Sequence, residues 1–148
     1  MPAHPGPFLS REPLDGTALR RAVSDDGAGA VLVFEGVVRD HGDGVEGVVA
    51  LEYEAHPTMA EKLIAAIAAE TAVAIPLRGI ALRHRLGRVE LGEPAVIIAV
   101  SAAHRDEAYR ASRLLIDRIK HEVPIWKREI QADGTGRWSR GCTAAVHG

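Results

Sequence analysis

Pro124 divides the last third of this chain into two kinds of structure. It lies in the segment Ile119-Lys120-His121-Glu122-Val123-Pro124-Ile125-Trp126-Lys127-Arg128-Glu129. Proline has no backbone N–H and pushes the preceding residue out of helical geometry, so a helix carrying Lys120 has to stop at Val123. The apolar spacing of Ala108, Ala111, Leu115 and Ile119 predicts that helix from about His104 to His121. Beyond the proline, Ile125 to Ile130 reads as a strand. Alternation then sets Ile125, Lys127 and Glu129 on one face and Trp126, Arg128 and Ile130 on the other. A lysine at a helix end and a lysine on the returning strand can converge on one pocket. Two ammonium groups brought close lower each other's pKa, which makes a lysine a usable base or nucleophile near neutral pH.

The rest of the chain punctuates itself in the same way. Asp15 to Val23 is a short helix candidate with Asp15 as N-cap. Ala30 to Val38 is apolar and rich in β-branched residues, hence a buried strand. His41 to Gly44 is a turn cluster, and Val45 to Ala55 reads as a partner strand, giving a long hairpin. Pro57 fits the first turn of a helix that runs to about Ala74 with Met59, Leu63, Ile64 and Ile67 on one face. Gly79 to Leu86 and Pro94 to Ser101 are further strands. Asp133 to Gly136 is a turn, and Trp138 begins a tail. This order predicts an α+β fold with helices on a largely antiparallel sheet.

At 148 residues the chain reads as one domain, 1–148, with a flexible lead-in at 1–7 and a C-terminal tail at 139–148. The net charge of −2 argues against nucleic-acid binding through a general basic field. No stretch approaches the roughly 20 apolar residues of a membrane span. The single Cys142 excludes an internal disulfide and fits a reducing compartment, and residues 1–7 lack the pattern of a secretory signal. The expected location is the cytoplasm.

Several charged residues have an ordinary reading and a functional one. Lys120 and His121 complement a helix dipole without any function. Lys127 blunts an edge strand or lines a site. Arg39, where the strand leaves the core, reads first as a surface partner of Asp40 or Glu52 and second as a cleft residue. His104 and Arg105 place cations at a helix N-terminus, against the dipole. Either Asp106 and Glu107 offset them and His104 is a cap, or an anion sits on the free N–H groups beneath them. Seven scattered histidines form no HExxH and no Cys/His cluster, so no metal is expected. Phosphate-loop, dinucleotide and nucleophile-elbow motifs do not occur either.

FEGVVRDH (34–41), LEYEAHPTMAEK (51–62), HRLGRVELGE (84–93), SAAHRDEAY (101–109), IKHEVPIWKRE (119–129) and DGTGRW (133–138) follow one another in this order. As an ordered set they resemble the large, catalytic subunit of molybdopterin synthase, the MoaE family, from about Phe8 to Trp138. The resemblance implies an α/β hammerhead-type fold with an additional antiparallel β subdomain. It implies a homodimer carrying a small ubiquitin-like sulfur-carrier subunit at each end, a heterotetramer in all. The carrier's C-terminal Gly-Gly tail would bear a thiocarboxylate. The implied reaction transfers two sulfurs to cyclic pyranopterin monophosphate (precursor Z), making molybdopterin for molybdenum cofactor biosynthesis. By the same resemblance Lys120 and Lys127 are catalytic. Substrate would be bound by Val37, Val38, Arg39, His104, Arg105, Lys120, Lys127, Arg128 and Glu129, with Glu129 holding Lys127. Sulfur comes from the carrier, so no cofactor and no reactive Cys142 is required. The alternative is a non-catalytic module that only docks a ubiquitin-like protein's tail.

Overall fold

The computed structural model describes residues 6–42 and 44–140, and of Arg140 only the backbone. In chain order the elements are β1 (Leu9–Ser10), α1 (Gly16–Ala22), β2 (Ala30–Val37), β3 (His41–Gly42), β4 (Val45–Glu46), β5 (Val48–Ala55), α2 (Pro57–Ala74), β6 (Gly79–Arg85), β7 (Gly87–Glu90), β8 (Pro94–Ala102), α3 (Arg105–Glu122), β9 (Ile125–Gln131) and β10 (Trp138–Arg140).

Two four-stranded sheets carry the α+β architecture. The first has the order β1-β6-β8-β2, antiparallel except for the parallel β1–β6 pair. Its faces explain the unbroken apolar run of β8. Val96, Ile98 and Val100 point to a core shared with Ile64 and Ile67 of α2 and Leu115 and Ile119 of α3. Ile97 and Ala99 point the other way, against Leu19 and Val23 at α1. A strand covered on both sides has no reason to alternate with polar residues. α1 starts where expected, its Asp15 side chain accepting from the Ala18 N–H at 3.1 Å.

The second sheet has the order β10-β9-β5-β7 and is antiparallel throughout. It corrects two expectations. β2 and β5 do not form a hairpin: β2 pairs along its length with β8, and β5 lies between β9 and β7. The turn cluster closes only the small β3–β4 hairpin. β2 is the edge strand of the first sheet and is only partly covered, with Phe34 and Val37 exposed, rather than the buried strand its composition predicts, and nonlocal pairing of this kind leaves no trace in a local sequence window. Trp138 does not begin a tail either. Residues 138–140 form β10 against Arg128, Lys127 and Trp126 of β9. The remaining tail, with Cys142, lies outside the described residues, as does most of the lead-in. Among the described residues no helix is long and apolar enough to cross a membrane.

Candidate active site

The helix-to-strand reversal at Pro124 places the two lysines. α3 ends with Val123 as its C-cap in extended geometry (φ −93°, ψ 120°), as the following proline demands. Lys120 sits in the last turn of α3, and β9 leaves at once beside it. In β9 the register with β5 is Lys127 opposite Tyr53 and Glu129 opposite Leu51, so these four side chains share one face. The face expected for Lys127 and Glu129 is the one that lines the site.

That site has two adjoining chambers. The inner one, about 120 Å³, is walled by apolar side chains including Phe34, Val96, Ile119 and Ile125, and by the polar residues Tyr53, His84, Lys120 and Lys127. The outer one, about 290 Å³, is polar and is lined by Val37, Arg39, His41, Leu51, Glu129 and the backbone of Gly42 among others. Val37, Tyr53, Lys120 and Lys127 border both chambers, so the lysines stand at their junction.

Burial, then the charges of Lys127 and Arg39, lower the Lys120 pKa from its ordinary 10.5, and Asp117 opposes them. This is the coupling that the lysine spacing predicts, with desolvation rather than charge repulsion as the larger cause. The Tyr53 hydroxyl is pushed up to about 12 by burial and by Glu129, so it remains a neutral donor and acceptor at any working pH. His84 is pulled down to about 4 by burial and by the charge of Lys120, against a bond to the Arg85 carbonyl.

Arg39 belongs to the cleft. Its Nε donates to the His41 carbonyl at 3.0 Å. The surface partners considered for it are engaged elsewhere, Asp40 with His41 at 2.9 Å and Glu52 with Arg128 at 2.7 Å. Glu129 borders the outer chamber but makes no ion pair with Lys127 among the described residues. Its carboxylate lies against Gly42, where any Cβ would collide with it.

Four of the expected substrate residues are elsewhere in this protomer. Val38 is buried at 2% exposure, with its N–H donating to the Glu93 carbonyl. Arg128 faces away from Lys127, pairing with Glu52 and lying 5.5 Å over the Trp138 ring. His104 and Arg105 stand at the opposite end of α3. At about 1.5 Å per residue, the 15 residues from Arg105 to Lys120 separate them by roughly 22 Å. His104 occupies the N-cap position but makes no side-chain cap bond; its Nδ1 is 3.4 Å from Glu107. Tyr53 and His84 are site residues that the sequence pattern did not single out. Both lie inside the matching motifs.

The arrangement is a local cationic pocket in an acidic chain, with a lysine of lowered pKa at its centre. It suits an anionic reactant that has to gain or lose a proton. Among the described residues no group of three or more His, Cys, Asp or Glu is placed to hold a metal ion.

The sequence matches the family model described as "MoaE protein" over residues 9–122. A relative from Thermoplasma volcanium named molybdopterin synthase catalytic subunit is 49% identical over 111 residues, covering 75% of this chain and 80% of the relative. The crystal structure of molybdopterin synthase from Staphylococcus aureus is similar with a TM-score of 0.82 and 41% identity, covering 89% of this chain and 95% of that one. A complex of subunits 1 and 2 of molybdopterin-converting factor from Helicobacter pylori 26695 shares the fold, with a TM-score of 0.72 at 19% identity over 88% of each chain.

Proposed function

The chain belongs to the MoaE family, and from that premise we propose that it is the catalytic subunit of molybdopterin synthase, a sulfurtransferase of molybdenum cofactor biosynthesis. It converts cyclic pyranopterin monophosphate (precursor Z) to molybdopterin. Its relatives carry the name of that enzyme subunit. The observation that carries the reading is the junction of the two chambers, where Lys120 and Lys127 meet beside Arg39.

The chemistry follows from the charges. The substrate phosphate and a thiocarboxylate tail are both anions, and Arg39, Lys120 and Lys127 supply the countercharge. Lys120, its pKa lowered, moves protons at the pterin side chain or assists covalently, and Lys127 positions the reactant and stabilises developing charge. Val37 and Glu129 flank the outer chamber. His104 and Arg105 are too far along α3 to reach this pocket from the same protomer, so in a homodimer they serve the pocket of the second copy. Arg128 keeps a structural place on the far face of β9.

The sulfur donor is a small ubiquitin-like carrier subunit whose C-terminal Gly-Gly thiocarboxylate enters the pocket. The Helicobacter pylori neighbour is a complex of two subunits, and this supports such a partner. The assembly is a heterotetramer built on a homodimer of this chain, residues 1–148 act as one domain, and the location is the cytoplasm. A docking module would have the same cationic entrance, but it gains nothing from lowering the pKa of Lys120, and this favours the enzyme. The test mixes purified protein, thiocarboxylated carrier and precursor Z and follows molybdopterin. Formation at a catalytic rate, unaffected by Cys142→Ala, is expected. Carrier binding without product would make the chain a docking module, and loss of turnover in Cys142→Ala would indicate a persulfide route.

A further inference from the structure

The inner chamber contains a group that the proposed chemistry does not use. His84 lies near the end of β6, and the residue is only 8% exposed. Its ring meets Tyr53 edge-on, with centroids 5.0 Å apart and planes at 85°. Its Nδ1 is 2.7 Å from the Arg85 carbonyl oxygen. A carbonyl only accepts, so Nδ1 carries the hydrogen and donates it there. In the neutral ring that leaves Nε2 with a free lone pair. Nε2 bonds to none of the described residues, yet it is not sealed in the core, since the sealed polar side-chain atoms left without a partner belong to Arg85 and Arg128. The ring lines the inner chamber, between apolar walls and the two lysines.

The donors and acceptors of that chamber are unbalanced. Protonated Lys120 and Lys127 only donate, and the Tyr53 hydroxyl does either. The other side chains that wall it are apolar. We propose that His84 is a further reactant-binding residue, whose Nε2 accepts a hydrogen bond from an N–H group of a reactant in the inner chamber. The inference rests on the sulfur-transfer reading, and it names the recognition chemistry of the inner half of that site. Two reactants bring such a group: the pterin ring system and the backbone amides of a Gly-Gly tail. Burial and the neighbouring Lys120 charge keep the ring neutral, so the acceptor persists through neutral pH. A lysine in the same place would repel a donor, and a phenylalanine would leave it unpaired.

The test combines kinetics with histidine nitrogen NMR on the full-length protein and its carrier. His84→Phe keeps the ring volume and removes both nitrogens. The KM for one reactant should rise roughly tenfold, the loss expected when a buried donor goes unpaired, with a smaller effect on kcat. In the wild-type protein, labelled on histidine nitrogen, the His84 Nε2 resonance should be that of an unprotonated nitrogen. It should shift when that same reactant is added alone. A rise confined to the pterin KM with a shift on adding precursor Z identifies the pterin as donor. A rise confined to the carrier KM with a shift on adding carrier identifies the tail. An Nε2 resonance unmoved by either reactant overturns the inference, whatever the variant does, and this arm also decides if His84→Phe fails to fold. A wild-type protein that makes no molybdopterin refutes the sulfur-transfer reading instead. An active wild type with an indifferent His84 refutes only this inference.

Discussion

Replacing Arg128 separates the two faces of β9. Lys127 and Glu129 point to the chambers, whereas Arg128 points outward, its Nη2 2.7 Å from Glu52 and its guanidinium 5.5 Å over the Trp138 ring. Both side chains of the ion pair are about a third exposed, at 32% and 31%. Such a pair lies between the roughly 0–1 kcal/mol of a surface bridge and the roughly 3–5 kcal/mol lost when a buried pair is broken. The ring contact adds about 0.5–1 kcal/mol. Two effects work against the loss in Arg128→Met. The buried Nε without a partner disappears, and Glu52 retains Arg88, its register partner on β7. A net destabilisation of about 1–2 kcal/mol follows, a drop in Tm of roughly 2–8 °C for a chain of this size. Thermal melts and turnover on the same samples check it. The melt should fall by that amount, while kcat/KM for the pterin stays within about threefold of wild type, as expected for a change away from the chemistry. A melt unchanged beside a large loss of kcat/KM would mean that the guanidinium touches a reactant, and the alternation argument would fail.

Lys120→Met should melt higher than wild type at pH 7. The fold lowers the lysine pKa below 10.5, so the unfolded chain binds more protons between the two values, and the charged form strains the fold until pH rises through 10.5. The advantage of the variant should therefore shrink as pH climbs; a lower melt at pH 7 would show that the ammonium is not strained. His84 works at the acid end. With its pKa about 4 folded against 6.5 ordinarily, its contribution is complete above pH 6.5 and is lost as pH falls toward 4, at most about 3 kcal/mol. Urea midpoints of His84→Phe should lose less between those pH values than wild type does; equal loss would contradict the assignment. Gly42→Ala should leave the melt nearly unchanged, because the Glu129 carboxylate it displaces ends a flexible side chain. Turnover should fall by roughly 10- to 100-fold, since misplacing a site group by about 1 Å has such effects. Unchanged turnover would remove Glu129 from the site.

The parts of this molecule set by local chemistry were legible in its sequence. Pro124 fixed the end of α3, the period-3.6 spacing of Ala108, Ala111, Leu115 and Ile119 fixed its buried face, and strand alternation put Lys127 and Glu129 together. Pairing was not legible. β2 finds β8 more than 50 residues away in sequence, and the short β1, β7 and β10 are held by neighbouring strands rather than by their own composition. Within the site, motif order grouped His104 and Arg105 with Lys120, although the length of a single helix keeps them apart. The resemblance grouped Arg128 with Lys127, although adjacent strand residues face opposite ways. His84 escaped notice because β6 is buried on both faces, so alternation carries little information there.

The role proposed for Lys120, at the junction of the chambers, is in the chemical step itself. The measurement is molybdopterin formation by Lys120→Ala with saturating thiocarboxylated carrier and precursor Z, alongside a melt showing the variant folded. A general acid–base group contributes about 100- to 10,000-fold, so kcat should fall at least about 100-fold. A folded Lys120→Ala protein that turns over at the wild-type rate would contradict it.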